Sequence, residues 1–182
     1  MKFSKTTLAD ATVIDMQRNE DARGFFARTF CTREFADNGL VTEFVQGNHS
    51  YNRSKGTVRG MHFQTAPHGE VKLVRCVAGA VLDVIIDLRA NSPTYLKWEG
   101  FELSAENGRT LYVPTGFAHV FQTLRDETHV LYSVSHPYTP GAEGGVRQDD
   151  PVFGITWPLP IGVVSEKDSH WPPVDLAAGI RI

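Results

Sequence analysis

A chain of 182 residues with a formal net charge of −3 is long enough to bury a core without a disulfide or metal staple. Its slight acidity offers no overall attraction for nucleic acid or an anionic membrane. Cys31 and Cys76 stand alone without CxxC spacing, which argues against a disulfide framework or a zinc site. The opening MKFSKTTLAD has no apolar centre for a signal peptide, and no run approaches the roughly 18 apolar residues of a membrane span. A cytoplasmic location is expected. With no linker, repeat or low-complexity tract, one domain over residues 1–182 is expected as well.

In chain order, residues 32–38 predict a short helix, with Thr32 as N-cap, Glu34 in the first turn and Asn38-Gly39 as the stop. Strands are expected at residues 42–46 and 57–64. Residues 71–88 carry two β-branched runs, VKLVRCV and VLDVIIDL, on either side of Gly79, which predicts a hairpin. Further strands are expected at 98–103, 110–113 and 129–135, set apart by the turn clusters NSPT, AENG, PTG and RDE. The plan is all-β, a barrel or sandwich, with the Pro- and Trp-rich carboxy-terminal third wrapping around it.

Several side chains on this plan can carry chemistry. In GTVRGMHFQ (56–64), strand alternation turns His62 and Gln64 to one face and Arg59 to the other, unless Gly60 introduces a bulge. A lumen-facing His62 is a candidate general base, and its alternative is a hydrogen-bonded core histidine. In PTGFAHVFQ (114–122) a Pro-x-Gly turn precedes His119. Lys72 opens the strand KLVRC, where it is either an exposed strand lysine or a fixed positive charge for a developing oxyanion. Tyr132 shares a strand face with Val130 and Val134, so it points inward as a general acid or as a large core residue. Asp168, in SEKDSHW, follows a loop-rich stretch and is expected on the surface.

The P-x-G-x-x-H of residues 114–119, taken with His62, resembles the second and first motifs of the cupin superfamily. The resemblance implies a cupin-type double-stranded β-helix, a jelly-roll barrel, with a few short peripheral helices. Metal-binding cupins carry H-x-H and a following glutamate, whereas this chain reads His62-Phe63-Gln64. A metal is therefore not expected, although His68 and Glu70 lie nearby.

In their joint order and spacing, DARGFF (21–26), FVQGNHS (44–50), RGMHFQ (59–64), KLVRC (72–76), DVIIDLR (83–89), SPTYLKW (92–98), YVPTGFAHVFQ (112–122), DDPVFGITWP (149–158) and SEKD (165–168) resemble the dTDP-4-dehydrorhamnose 3,5-epimerase family over nearly the whole chain. The resemblance implies a cofactor-free epimerase acting at C3, C5 or both of a nucleotide-linked 4-keto-6-deoxyhexose. His62 would be the base and Asp168 its orienting partner. Lys72 would stabilise the enolate, and Tyr132 would return a proton from the far face. Arg23, Arg59 and His119 would hold the diphosphate and sugar, Phe26, Gln46 and Asn48 would contact nucleotide or sugar, and Tyr138 would stand near the sugar, its alternative being a surface tyrosine before a turn. A homodimer whose sites share residues between subunits is implied too.

Three departures from that pattern stand out. Arg28 occupies a position where many members have a glutamate that accepts from thymine. An arginine there suits the acceptor of a cytosine, or forms an ion pair or grips phosphate. Val120 replaces a usual glycine, and one extra residue lies between Asn48 and Gly56; both are expected to reshape the sugar pocket. The competing readings are a 5-epimerase for a CDP-linked 4-keto-3,6-dideoxyhexose, a nucleotide-sugar 3,4-ketoisomerase, a metal-dependent cupin oxygenase and a carbohydrate-binding cupin without activity.

Overall fold

Alternation of buried and exposed residues along short segments is what lets a strand cover a core on one face, and it recurs throughout the middle of this chain. A computed structural model describes residues 1–174. Its elements are β1 (Lys2–Lys5), β2 (Thr12–Asp15), β3 (Arg18–Asp21), β4 (Gly24–Ala27), α1 (Thr32–Asp37), β5 (Gln46–Asn52), β6 (Val58–Gln64), β7 (Lys72–Ala78) and β8 (Ala80–Asp87). They continue with β9 (Trp98–Ser104), β10 (Thr110–Val113), β11 (Phe117–Thr123), β12 (Thr128–Val134), β13 (Glu143–Gly145) and α2 (Glu166–Ser169).

One sheet of six strands runs β1-β2-β10-β7-β12-β5 and a second of five runs β13-β6-β11-β8-β9, with every pairing antiparallel. The two sheets close over Val74, Cys76, Val81, Ile85, Leu103, Leu111, Phe117, Phe121 and Val130 to form the jelly-roll barrel. The outer face of the six-stranded sheet is covered by α1, whose wholly buried Phe35 packs with Ile14, Val71 and Tyr112. The outer face of the five-stranded sheet presents Met61, Phe63, Val84, Ile86 and Val120 to Phe153, Ile155 and Trp157 of the carboxy-terminal segment. That segment wraps the barrel as its composition suggests.

The structure revises several expectations. The strands on either side of Gly79 are not a hairpin: β7 pairs with β10 and β12 in one sheet, β8 with β9 and β11 in the other. Gly79, at φ +75°, turns the chain from one sheet to the other, and its missing side chain lets Thr128 pack against the backbone there. The strand expected at 42–46 begins only at Gln46, because Phe44 folds onto Phe30 and Phe35 beneath the first sheet. Helix α1 is capped by Cys31 with no side-chain hydrogen bond, and Thr32 is its first residue. The polar β3–β4 ribbon, a two-stranded sheet of its own, has no forerunner in the sequence reading.

Candidate active site

Apolar side chains fill one end of the barrel, while the end bounded by β5, β6, β11 and β12 is lined by polar groups. A cavity of about 520 Å³ there is bordered by Ser50, Arg59, His62, Lys72, His119, Tyr132 and Asp168, among others. A smaller recess of about 120 Å³ shares His62, Lys72 and Tyr132 with it and adds Gln46, Asn48, Glu70, Tyr138 and Glu143.

Two devices bring these side chains together. On β6 the register against β11 shifts between His119 and Phe121, so that His62 lies opposite His119 while Arg59 lies opposite Phe121. Gly60, at φ +117°, sits at this bulge with its α-carbon against the carbonyl of His119 and the α-carbon of Val120, a space that no side chain could share. Arg59 and His62, three positions apart, consequently line the same cavity. The second device is α2. Ser165 caps it by accepting from the Asp168 N–H at 3.1 Å, which aims the Asp168 carboxylate inward. Asp168 is 3% exposed, so the surface expectation fails, and burial follows from the partners that its carboxylate finds.

Those partners are the His62 Nε2 at 2.6 Å and the Gly60 N–H at 3.1 Å. Burial alone would raise the Asp168 pKa. The hydrogen bond and charge of His62, with the Gly60 N–H and Ser165, outweigh it and hold the carboxyl below its ordinary range. With Nε2 committed to Asp168, Nδ1 is the ring nitrogen left to exchange a proton.

Across the cavity, Tyr132 stands on β12 opposite Asn48 of β5. Its phenol is pushed above the ordinary value first by burial and then by the charge of Glu70, against the opposing pull of Arg59. Lys72 opens β7 with its Nζ donating to the His62 carbonyl at 3.4 Å and ion-paired to Glu70 at 3.1 Å. The base and the phenol therefore come from opposite sheets, and the ammonium, on the strand beside the phenol, reaches the backbone carbonyl of the base. Such an arrangement can remove a proton from one face of a carbon acid, hold the resulting oxyanion and return a proton to the other face.

Of the remaining candidates, Gln46 and Asn48 are joined side chain to side chain at 2.9 Å on the inner face of β5. Gln46 also accepts the Tyr138 N–H at 3.1 Å, which sets Tyr138 at the mouth of the recess. Arg59 is steadied by Asn52 at 2.6 Å. The His119 Nε2 donates to both oxygens of the wholly buried Asp83, at 2.9 and 3.0 Å. Arg23, Phe26 and Arg28 are not brought to this cavity: Arg23 pairs with Asp21 at 2.5 Å in the β3–β4 turn, Phe26 is 74% exposed, and Arg28 pairs with Glu34 at 2.7 Å. Val120 faces away from the cavity into the layer beneath the carboxy-terminal segment, so its replacement of glycine does not line the sugar pocket.

Among the described residues, no three His, Cys, Asp or Glu side chains are grouped as a metal set. Gln64 is occupied otherwise, donating to the His68 carbonyl at 3.0 Å and accepting from the Thr139 N–H at 2.7 Å. Among the cavity residues that escaped assignment are the charged Glu70, Glu143 and Lys167. Glu70 stands two positions before Lys72, the strand spacing that turns both to one side. Glu143, bound to Lys167 at 2.6 Å, comes from a three-residue edge strand that leaves no periodic signal. A wider depression of about 760 Å³, bordered by Phe30, Phe44, Leu73, Arg75 and Leu131, lies outside the six-stranded sheet, away from the His62–Asp168 pair.

The fold and this cavity together define an isomerase of the cupin type. The model of the family described as dTDP-4-dehydrorhamnose 3,5-epimerase matches residues 5–175. A dTDP-4-dehydrorhamnose 3,5-epimerase of Sinorhizobium fredii is 44% identical over 173 residues, covering 94% of this chain and 89% of that protein. The crystal structure of the Bacillus anthracis enzyme of the same name, with TDP and pyrophosphate bound, superposes with a TM-score of 0.92 at 40% identity, covering 95% of this chain and 99% of that one. A Legionella pneumophila dTDP-6-deoxy-D-glucose-3,5-epimerase in complex with dTDP-4-keto-L-rhamnose gives 0.90 at 34% identity, covering 100% and 98%. The chain belongs to the dTDP-4-dehydrorhamnose 3,5-epimerase family of nucleotide-sugar epimerases.

Proposed function

We propose that this enzyme inverts C3 and C5 of a dTDP-linked 4-keto-6-deoxyhexose, with His62, Asp168, Lys72 and Tyr132 as its catalytic groups. The observation that carries the proposal is the His62–Asp168 pair, closed at 2.6 Å on one wall of a cavity whose opposite wall presents Tyr132. The proton on the carbon beside the ketone passes to His62 Nδ1, and Asp168 stabilises the imidazolium so formed. The C–H electron pair becomes the enolate, whose oxygen the Lys72 ammonium offsets. Tyr132 then delivers its phenolic proton to the other face, so that the carbon is inverted, and both groups re-equilibrate with solvent.

Arg59 and His119 suit the diphosphate and sugar, Gln46 and Asn48 the sugar, and Tyr138 the nucleotide at the mouth. Arg23, Phe26 and Arg28 belong in this reading to a second copy of the chain. They stand exposed on or beside the β3–β4 ribbon, away from their own cavity, and a homodimer that exchanges these ribbons would complete each site. A thymidine-linked substrate is favoured over a cytidine-linked one, because the relatives are named for dTDP-linked sugars. Cys31 and Cys76 are both free, which suits the reducing cytoplasm.

The test is solvent deuterium exchange into a dTDP-4-keto-6-deoxyhexose. Wild-type enzyme is expected to exchange at C3 and C5. His62→Ala should abolish exchange, slowing it by a factor on the order of a thousand, whereas Tyr132→Phe should permit exchange with incomplete inversion. Exchange at the wild-type rate in His62→Ala would remove the base from this scheme.

A further inference from the structure

Among the charged groups of the cavity for which the proposed reaction has no use, Glu70 is the one that touches the Lys72 ammonium. Glu70 precedes β7, and its side chain is only 7% exposed. A carboxylate in so dry a position needs a reason, since an apolar residue of similar volume would pack there without the cost of desolvation. Its two oxygens are divided between two donors: Oε1 faces the Lys72 ammonium at 3.1 Å, and Oε2 accepts from the Gln64 side-chain amide. Gln64 is in turn immobilised from the far side by the Thr139 N–H and the His68 carbonyl. A continuous line of hydrogen bonds thus runs from the backbone at Thr139 through Gln64 and Glu70 to Lys72, and from Lys72 to the carbonyl of His62 itself.

We propose that the buried Glu70 carboxylate is a positioning residue of the epimerisation, acting through the Lys72 ammonium that it grips and through Tyr132 on the neighbouring strand. The inference rests on the proton-transfer reading given above. A lysine carries a point charge on a flexible four-carbon stem, so an ammonium meant to meet an oxyanion at one place has to be held there. Glu70, two residues earlier on the same face of the chain, supplies that hold. Because a carboxylate only accepts, it can serve Gln64 and Lys72 together; a neutral amide in its place would turn a donor toward one of them.

Its negative charge also reaches the phenol. Around Tyr132 stand His49 and Tyr51 of β5, Arg59 and His62 of β6, His119 of β11, Glu70 and Lys72 at the head of β7, Glu143 of β13, Lys167 and Asp168 of α2, and His136 and Tyr138 beyond β12. Of these, Glu70 adds to burial in raising the phenol pKa, and Arg59 opposes it. The phenol accordingly keeps the proton that it must deliver.

The experiment compares wild-type enzyme with Glu70→Gln and Glu70→Asp in two measurements. The first is steady-state epimerisation with deuterium exchange. The second, which needs no substrate, is the Tyr132 phenol titration, read as the ultraviolet phenolate difference between each protein and its Tyr132→Phe counterpart. Glu70→Gln is expected to lower kcat about tenfold with KM held within about twofold, the range seen when the partner of an active-site ligand is lost, and to move the Tyr132 titration to lower pH. Glu70→Asp keeps the charge but falls one methylene short, so it should restore the titration while kcat stays reduced. A wild-type kcat in Glu70→Gln, or a loss that only follows the folded fraction with the titration unmoved, would overturn the proposal. Were wild-type enzyme to exchange nothing, the functional reading would fall by itself. The titration would still support Glu70's hold on this phenol if it moved, and overturn it if it did not.

Discussion

Two imidazole–carboxylate pairs lie almost side by side where β6 meets β11, and they are built for opposite ends. His119 and Asp83 sit on neighbouring strands of one sheet, with side chains 10% and 0% exposed, and the carboxylate spends both oxygens on a single ring nitrogen. His62 and Asp168 are 106 residues apart in the chain. Asp168 arrives on a short helix from the carboxy-terminal wrap, and the His62 side chain remains 39% exposed to the cavity. Each ring keeps one nitrogen uncommitted, but His119 shows the cavity only an edge while His62 stands well out into it. The same chemistry therefore becomes structural or reactive according to how far the ring stands into the cavity.

That contrast can be broken by single substitutions. The largest effect is expected for Asp168→Asn, which keeps the shape of the side chain but can favour the wrong tautomer of His62. Its kcat should fall about a thousandfold, roughly 4 kcal/mol of barrier, with the melting temperature changed far less than activity. Should kcat stay near wild type, His62 would not depend on its partner.

His119→Ala should show the reverse emphasis. It leaves the wholly buried Asp83 without its hydrogen-bond partner, and a loss of about 3 kcal/mol is expected in urea unfolding. An unchanged unfolding midpoint would show that Asp83 finds another donor. Val120→Ala should be milder, about 1 to 2 kcal/mol from the lost methyls in the layer under Trp157 and Phe153. The ratio of C3 to C5 exchange should not change, because the side chain points away from the cavity.

The smallest effect sharpens the comparison through pH. The folded Asp168 carboxyl lies below its ordinary 3.8, so the stability that it contributes is complete above that value and is lost as pH falls through the lower folded one. The gap in urea midpoint between wild type and Asp168→Asn is expected to close as pH drops below about 4. A gap that persisted unchanged into strong acid would mean that the carboxylate charge is not its source.

The strands from 57, 98, 110 and 129 onward are found within a residue of where the sequence reading sets them, because each alternates clearly and is bounded by turn residues. Around Gly79 the same reading fails. VKLVRCV and VLDVIIDL are apolar on nearly every position, and periodicity marks such runs as strands without saying which sheet each will join. For the cavity, His62 and Tyr132 were legible because alternation settles the inner face of a strand, whereas Lys72, at the first position of its strand, was left open between an exposed and an inward lysine. Asp168 was not, since a residue after a long irregular stretch is positioned by a helix cap, Ser165, and by a partner remote in sequence. Arg59 hung on a single question, whether Gly60 would bulge, which no alternation pattern can answer.

The bulge at Gly60 has a metric consequence. Regular strands repeat their inward positions every second residue, so a guanidinium and a base on one strand would be spaced by about 7 Å or by about 14 Å. Arg59 and His62, three residues apart, face Phe121 and His119, which are two apart, so the bulge takes up the extra residue and compresses the interval to about the 7 Å of a regular two-residue step. One hydrogen atom in place of a side chain at Gly60 thus decides that a guanidinium and an imidazole share one wall of the cavity at the separation of near neighbours.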